Sequence, residues 1–415
     1  INRLFIAFSC TENSLIDKGE SDSMSQKKSR AIKSRASKIA MIALSFGLIA
    51  ASPAFAVDLQ GSGASFPANL IEGCKAGYAA SGNNSYTYAS SSSGTGQANS
   101  DKSIGDFWMS DGAYTATTKR ASLIHVPLVA APIAVLYNLP GSAQRTPLTL
   151  SANTVAGIFA GQILYWDDPK IAADTNRTVT TTTYKKDANG NPVKDKKGNL
   201  LPPTKKTTTY RLTLPHQKIT VIYRADSSGT SENFTNYLNK SAPTIWTKSK
   251  NKVFKDSFPG DINSMDNLGR IVGAQSSNGV SQLAGKTKYS ITYAEVNYAA
   301  ANSLKVASLL NPAGNAVAPD NTGVGAFLAS ATQDANGFLT YDFATKEPGA
   351  YPLGIVSYLL ADTKYPDKTK AAAVKDFATY ILSSKCSKDV GTALGFSVID
   401  GDLLKKSLAQ VAKIG

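Results

Sequence analysis

Arg224 and Asp226 stand two apart in "YRADSSGTSENF" (223–234), and Ser227, Ser228, Gly229 and Thr230 follow at once. An apolar, strand-like run, "ITVIYR" (219–224), leads into them. The spacing of Phe234, Tyr237 and Leu238 predicts a helix beyond them. A cation, an acid and several hydroxyls at a helix start suit the holding of a tetrahedral oxyanion. The first turn of a helix has unpaired N–H groups and a partial positive charge. A strand-end arginine can give such an ion two parallel hydrogen bonds. Asp226 would orient and partly neutralise the guanidinium, while Ser228, Gly229 and Thr230 would add donors from side chain and backbone.

Two further stretches have the same composition. "GSGASFPANLIEGC" (61–74) offers Ser65, with Pro67 suited to the first position of a helix. "YASSSSGTGQ" (88–97) offers serines, including Ser93, and two glycines. Each reads as a loop ending at a helix start. Ordinary helix capping is the plain alternative for any one of them. The glycine spacing is incomplete for a dinucleotide fingerprint. "DFWMSDGAY" (106–114) adds Asp106 and Asp111. A carboxylate facing the anion would accept a proton from hydrogen phosphate. It would reject sulfate, whose lone pairs would meet its own. The alternative is an acid on a surface turn.

Around these stretches, strand-like and helix-like segments alternate, which predicts an α/β fold with mostly parallel sheets. "SANTVAGIFAGQI" (151–163) opens with Ser151 as an N-cap, and "AAAVKDFATYILSS" (371–384) reads as an amphipathic helix. "LIHVPLVAAPIAVLYNL" (123–139) is apolar and β-branched, and its prolines are expected to cut it into separate strands. Residues 177–211 read as an inserted hairpin. "TVTTTTYKK" and "TKKTTTYRL" are near mirror images around the turn signals "DANGN" and "KKGN". Its lysines would keep an exposed edge soluble, with docking of a polyanion as the alternative.

The chain has 415 residues and a formal net charge of +14. Residues 1–56 hold 8 Lys/Arg and 4 Asp/Glu, a share of +4, and residues 177–211 hold 9 Lys/Arg and 2 Asp, a share of +7. That leaves +3 for the rest. No zinc-finger spacing, basic helix or RNA-binding motif accompanies it, so no nucleic-acid partner is expected. A basic run, the apolar "IAMIALSFGLIAA" (39–51) and then "SPAFA" (52–56) read as a secretory signal cut after Ala56, with Met24 as the start. The mature protein would then work outside the cytoplasm. Cys74 and Cys386 remain after the cut. They form either a disulfide or a pair of buried thiols.

Taken together, these stretches resemble the extracytoplasmic phosphate-binding proteins of ABC phosphate importers, the PstS type. "GSGASFP" is similar to the family's G-A-G-A-T-F-P, with Ser65 in place of Thr. "SSGTGQ" occupies the place of G-S-G-A-G, and "DFWMSDGAY" that of D-F-G-A-S-D-A-P. "GIFAGQILYWDDP" (157–169) looks like I-F-L-G-K-I-K-K-W-N-D-P, and "YRADSSGT" like R-x-D-G-S-G-T. "YSITYAEVNYAAANSL" (289–304) resembles I-G-Y-V-E-x-A-Y-A-x-x-N-x-L. The resemblance implies a two-lobed, Venus-flytrap fold of the periplasmic-binding-protein type II, carrying the hairpin as an insertion. Lobe one would comprise residues 57–138 and 351–415, and lobe two residues 139–350. Chain crossings would fall near Tyr137–Asn138 and Tyr351–Pro352. The implied phosphate ligands are Ser65, the Phe66 backbone N–H, Ser93, Asp111 as acceptor of the phosphate proton, Arg224, Asp226, Ser228, Gly229 and Thr230. The implied partner is an ABC permease. A monomer without cofactor and without catalysis is expected.

The competing classes are a secreted phosphatase and a polyanion-binding surface protein. A phosphatase needs a base or metals. The two histidines, His125 and His216, have no spaced ligand partner in the sequence and read as structural.

Overall fold

The computed structural model describes residues 56–82, 84–115, 119–141 and 147–415. Of the expected leader, all but Ala56 lies outside them.

The apolar run folds as a single strand, Leu123–Asn138, buried at every position except Ile124 and Asn138. The expectation that its prolines divide it is corrected. It pairs first with the return strand Gly354–Asp362, and the register of that pairing shifts between Ser357 and Tyr358, opposite Pro127. Pro132 is the last residue of that ladder, and Ile133 begins the next one, with Ser290–Glu295. A proline has no N–H to give, so an irregularity and a handover between partners are places that tolerate it.

On one side of this strand lie β1 (Asp58–Ala64), α1 (Ala68–Ser81), β2 (Ser85–Ser91), α2 (Ser93–Asp101) and β3 (Phe107–Ser110). The long strand itself is β4. Then come β5 (Thr149–Leu150), α3 (Ala152–Phe159), α4 (Pro169–Thr175) and the paired β6 (Thr178–Thr183) and β7 (Thr204–Thr209). The other side is built from β8 (Thr220–Arg224), α5 (Gly229–Ser241), α6 (Phe254–Ser257), β9 (Ile271–Ala274), α7 (Ser276–Lys286), β10 (Ser290–Glu295) and α8 (Asn297–Ala301). The strand order is β2-β1-β3-return strand-β4-β10-β8-β9. Pairs β1–β2, β1–β3, β8–β9 and β8–β10 are parallel. The pairs β3–return strand, return strand–β4 and β4–β10 are antiparallel. The sheet is therefore mixed rather than mostly parallel. A chain that crosses from one side to the other and comes back must run both ways through the middle.

Helix α1 buries Leu70, Ile71, Cys74 and Tyr78. Tyr78 and Tyr86 close on Phe377 of helix Lys368–Leu382 with ring centroids 6.1 and 4.9 Å away, and Phe107 lies 4.4 Å from the same ring. Such pairs add about 0.5–1.5 kcal/mol each beyond area burial. A disulfide joins Cys74 to Cys386 across 312 residues of sequence, with the Cα atoms 5.4 Å apart. On the far side, Phe234 stacks on Tyr293 at 4.2 Å with Phe159 against both.

The hairpin β6–β7 pairs Thr178 with Thr209 through to Thr183 with Thr204. No residue from 176 to 211 is buried. Local bonds shape it. Thr178 and Thr180 share hydroxyl hydrogen bonds with Thr209 and Thr207. Asp187 accepts from the N–H of Asn189 and Asn191, and Asp195 from that of Lys197 and Asn199.

Candidate functional site

In open α/β sheets the loops at the carboxyl ends of parallel strands face one crevice. Here the turns after β1, β2, β3, β8 and β9 all deliver polar residues to one place, at the start of helices α1, α2, α5 and α7. The stretches 61–74 and 88–97 are not loops throughout, as expected from their glycines and serines. Gly61–Ala64 and Tyr88–Ser91 complete β1 and β2, and the functional residues follow directly. Gly63 has φ +133°, and a Cβ there would lie 2.2 Å from the Met109 carbonyl oxygen, so this strand end requires glycine.

Ser65 follows, almost fully buried. Its Oγ accepts from the Ser277 N–H at 3.1 Å and lies 3.3 Å from Ser277 Oγ. Phe66 is buried with its ring edge-on to Phe396. Ser92 caps α2 by accepting from the Thr95 N–H, which leaves Ser93 to face the crevice. Ser93 Oγ accepts from the backbone N–H of both Asp111 and Gly229 at 3.1 Å and donates to Asp111 Oδ2 at 3.3 Å.

Arg224 is 1% exposed. Its Nε donates to Asp226 Oδ1 at 2.7 Å and its Nη2 to Asp226 Oδ2, a side-on pair. Nη1 is turned the other way, to Thr230 Oγ1 at 3.4 Å and Ser277 Oγ at 3.2 Å. Burial works against the guanidinium charge, but the Asp226 bond and charge, with Glu295 and Tyr293 beyond, hold its pKa above the ordinary arginine value. Asp226 also accepts from the Ser276 N–H at 3.2 Å. Ser228 Oγ serves as the N-cap of α5, accepting from the Ser231 N–H. Thr230 donates to Asp111 Oδ2 at 3.3 Å.

The two acids of the 106–114 stretch separate cleanly. Asp106 holds Lys370 at 2.6 Å and the Gln60 N–H at 2.8 Å, a structural role. Asp111 is 2% exposed and enters the cluster, where Ser357 donates to its Oδ1 at 2.7 Å. Burial pushes its pKa up to about 6, even though the Ser357 bond, the Arg224 charge and the Ser93 and Thr230 bonds all pull it down. It is an acceptor that binds a proton readily. A cleft of about 400 Å³ opens beside Asp111, walled by Glu232, Asn233, Tyr341 and Tyr358.

Three participants escaped sequence reasoning: Ser277, Glu295 and Ser357. Ser277 had a signal, since "AQSSNGV" (274–280) is a fourth strand-to-helix turn rich in small hydroxyl residues. Ser357 had none, because it sits within an apolar strand. Neither histidine joins the cluster. Burial lowers the His125 pKa to about 3, and its Nε2 accepts from the Tyr114 N–H. His216 is exposed and pairs with Asp167 at 2.9 Å. Among the described residues, no three or more His, Cys, Asp or Glu side chains are grouped to hold a metal, and no helix is long and apolar enough to cross a membrane.

Residues 49–385 match the family model described as a PBP superfamily domain. Such a match, on this fold, defines a class of two-lobed binding proteins. The phosphate-binding protein PstS of Methanocaldococcus jannaschii is 30% identical over 302 residues, 70% of this chain and 67% of that protein. The phosphate-binding protein PstS 2 of Mycobacterium tuberculosis is 33% identical over 258 residues, 61% of this chain and 56% of that protein. The chain thus spans little more than half the length of this mycobacterial relative. A solved high-affinity periplasmic phosphate-binding protein, bound with phosphate, shares the fold at TM-score 0.60 and 23% identity, over 85% of this chain and 93% of that one. The chain belongs to the PstS-type phosphate-binding proteins of the PBP superfamily.

Proposed function

We propose that this protein captures inorganic phosphate between two lobes, residues 57–138 with 351–415 and residues 139–350, and delivers it to an ABC permease outside the cytoplasm. The ligands are Ser65, the Phe66 N–H, Ser93, Asp111, Arg224, Asp226, Ser228, Gly229 and Thr230, with no cofactor and no covalent step. One observation carries the reading: a buried guanidinium held by Asp226, hydroxyls from both sides of β4 and four helix starts converge on the buried carboxyl group of Asp111, whose pKa burial raises. Donors and positive helix ends favour an oxyanion. Asp226 is taken up by the guanidinium, so Asp111 is the acceptor left to select an ion that carries a proton.

In this structure the donors satisfy one another across the crevice: Ser65 with Ser277, Ser93 with Gly229, Thr230 with Asp111. Entry of the ion requires the lobes to part and those bonds to be exchanged for bonds to the ion. Because the exchange is nearly even in number, affinity comes chiefly from charge in a water-excluded site. A phosphatase would need a base at the hydroxyls; neither histidine can serve there, which leaves Asp111 as the one group such a reading could use.

Calorimetric titration with phosphate and then sulfate tests the reading. One-to-one phosphate binding, with sulfate at least about a hundredfold weaker for a lone-pair clash of roughly 3 kcal/mol, is expected. Absence of phosphate binding, or steady release of phosphate from a chromogenic ester, overturns it.

A further inference from the structure

Glu295 ends β10 directly behind the cluster, 2% exposed. Its Oε1 lies 3.0 Å from Ser277 Oγ, and its Oε2 is buried without a hydrogen-bond partner. A buried carboxylate with an empty oxygen is costly, whereas a carboxylic acid is much less so. The charged and titratable groups that act on it are Arg224 on β8, Asp111 after β3 and Tyr298 on α8.

The hydroxyl protons can be counted. Ser277 Oγ has one proton and two lone pairs. It touches Glu295 Oε1, Arg224 Nη1 and Ser65 Oγ. Arg224 can only donate. If Glu295 were ionised, Ser277 would have to donate to it. Ser277 would then keep no proton for an anion, and its second lone pair would draw the Ser65 proton toward it and away from the crevice. If Glu295 carries a proton and donates it to Ser277 Oγ, the Ser277 proton is released. Ser65, already accepting from the Ser277 N–H, is free to donate as well.

We infer that Glu295 is a positioning residue for phosphate: held as a carboxylic acid, it donates to Ser277 and so turns the Ser277 and Ser65 hydroxyls into donors toward the ion. The inference rests on the phosphate reading above; at pH values where Glu295 is ionised in the free protein, it requires a proton taken from solvent together with the anion. Burial is the main cause that raises the Glu295 pKa, to about 8, with Asp111 adding to it against the pull of Arg224 and Ser277. Because protonation favours the bound state, affinity is full below that pH and falls as pH rises through it. Asp111 titrates lower, and the ionisation of dihydrogen phosphate to hydrogen phosphate near neutral pH is common to wild type and variant.

The test is calorimetry of the full chain with inorganic phosphate between about pH 7 and pH 9.5, in two buffers of different ionisation enthalpy. Well above about pH 8 the wild type should lose affinity about tenfold per pH unit and take up close to one proton per phosphate, with little uptake by Glu295 at pH 7. Glu295→Gln should bind at pH 7 and lack the share of the slope and the uptake that wild type shows above about pH 8. Lys252, whose pKa is lowered mainly by burial, is common to both proteins and cancels in the difference. Equal slope and uptake in Glu295→Gln overturns the inference. Should that variant not fold, Ser277→Ala takes its place. Loss of the uptake there supports the relay through Ser277, and full uptake overturns it. A wild type that binds no phosphate at pH 7 overturns the phosphate reading itself, and is seen before any variant is compared.

Discussion

Gly229→Ala should separate closure from folding. Gly229 is the first residue of α5 and has no positive φ, so alanine fits its backbone. A Cβ there would lie 2.4 Å from Ser93 Oγ, 2.8 Å from Asp111 Cβ and 2.9 Å from the Gly112 nitrogen. All three atoms belong to the α2–β3 side of the crevice, not to the side that carries α5. Carbon contacts settle near ~3.5–4.0 Å, so the two sides must stand off by roughly 1 Å. Overpacking of one methyl costs about 1–3 kcal/mol, which weakens phosphate binding by roughly 5- to 150-fold. Within its own side the substitution is harmless and removes backbone freedom from the unfolded chain, for a gain of about 0.4–1 kcal/mol. Calorimetric titration at neutral pH gives the affinity, and scanning calorimetry without phosphate gives the melting temperature. Affinity within twofold of wild type, or a melting temperature several degrees lower, would refute the closure geometry.

Asp111→Asn places a donor where the buried acceptor stood. It should narrow the preference for phosphate over sulfate by at least about tenfold, the effect of one hydrogen bond gained or lost; competition calorimetry with an unchanged ratio would contradict the role. Replacing Cys74 and Cys386 with serine opens a link spanning 312 residues. A loss of about 2–5 kcal/mol in unfolding free energy is expected by urea titration. Replacing residues 179–208 with a two-residue turn removes no buried side chain. The melting temperature should stay within a degree or two and phosphate affinity should be unchanged, and a large drop in either would show that the arm packs on the body.

The α/β class and the phosphate-binding family were legible because strand-to-helix turns carry their own chemistry in a few consecutive residues. Such signals are local: Ser151 caps α3, and the periodicity after Thr230 gives α5. What stayed hidden depends on partners far away. The prolines of β4 read as breaks because the sequence does not show that a register shift and a change of partner await them. The parallel order failed at the middle of the sheet, where the crossing strands meet. Asp106 and Asp111 are equivalent in sequence, and only Lys370, 264 positions on, marks the first as structural. Glu295 and Ser357 look like ordinary strand residues until tertiary packing turns them to the same crevice.

The return strand Gly354–Asp362 occupies the slot between β3 and β4, although it is made long after both. Until it emerges, β3 and the first part of β4 have bare edges and no way to meet. In a fragment ending at residue 350 the β1–β3 side is therefore expected to lose its protection against amide hydrogen exchange, and protection there equal to that of the full chain would disprove this. Joining of the two sides through β3 and β4 thus waits on residues made near the end of synthesis, while the pairs β8–β9 and β8–β10 need nothing that comes after residue 350.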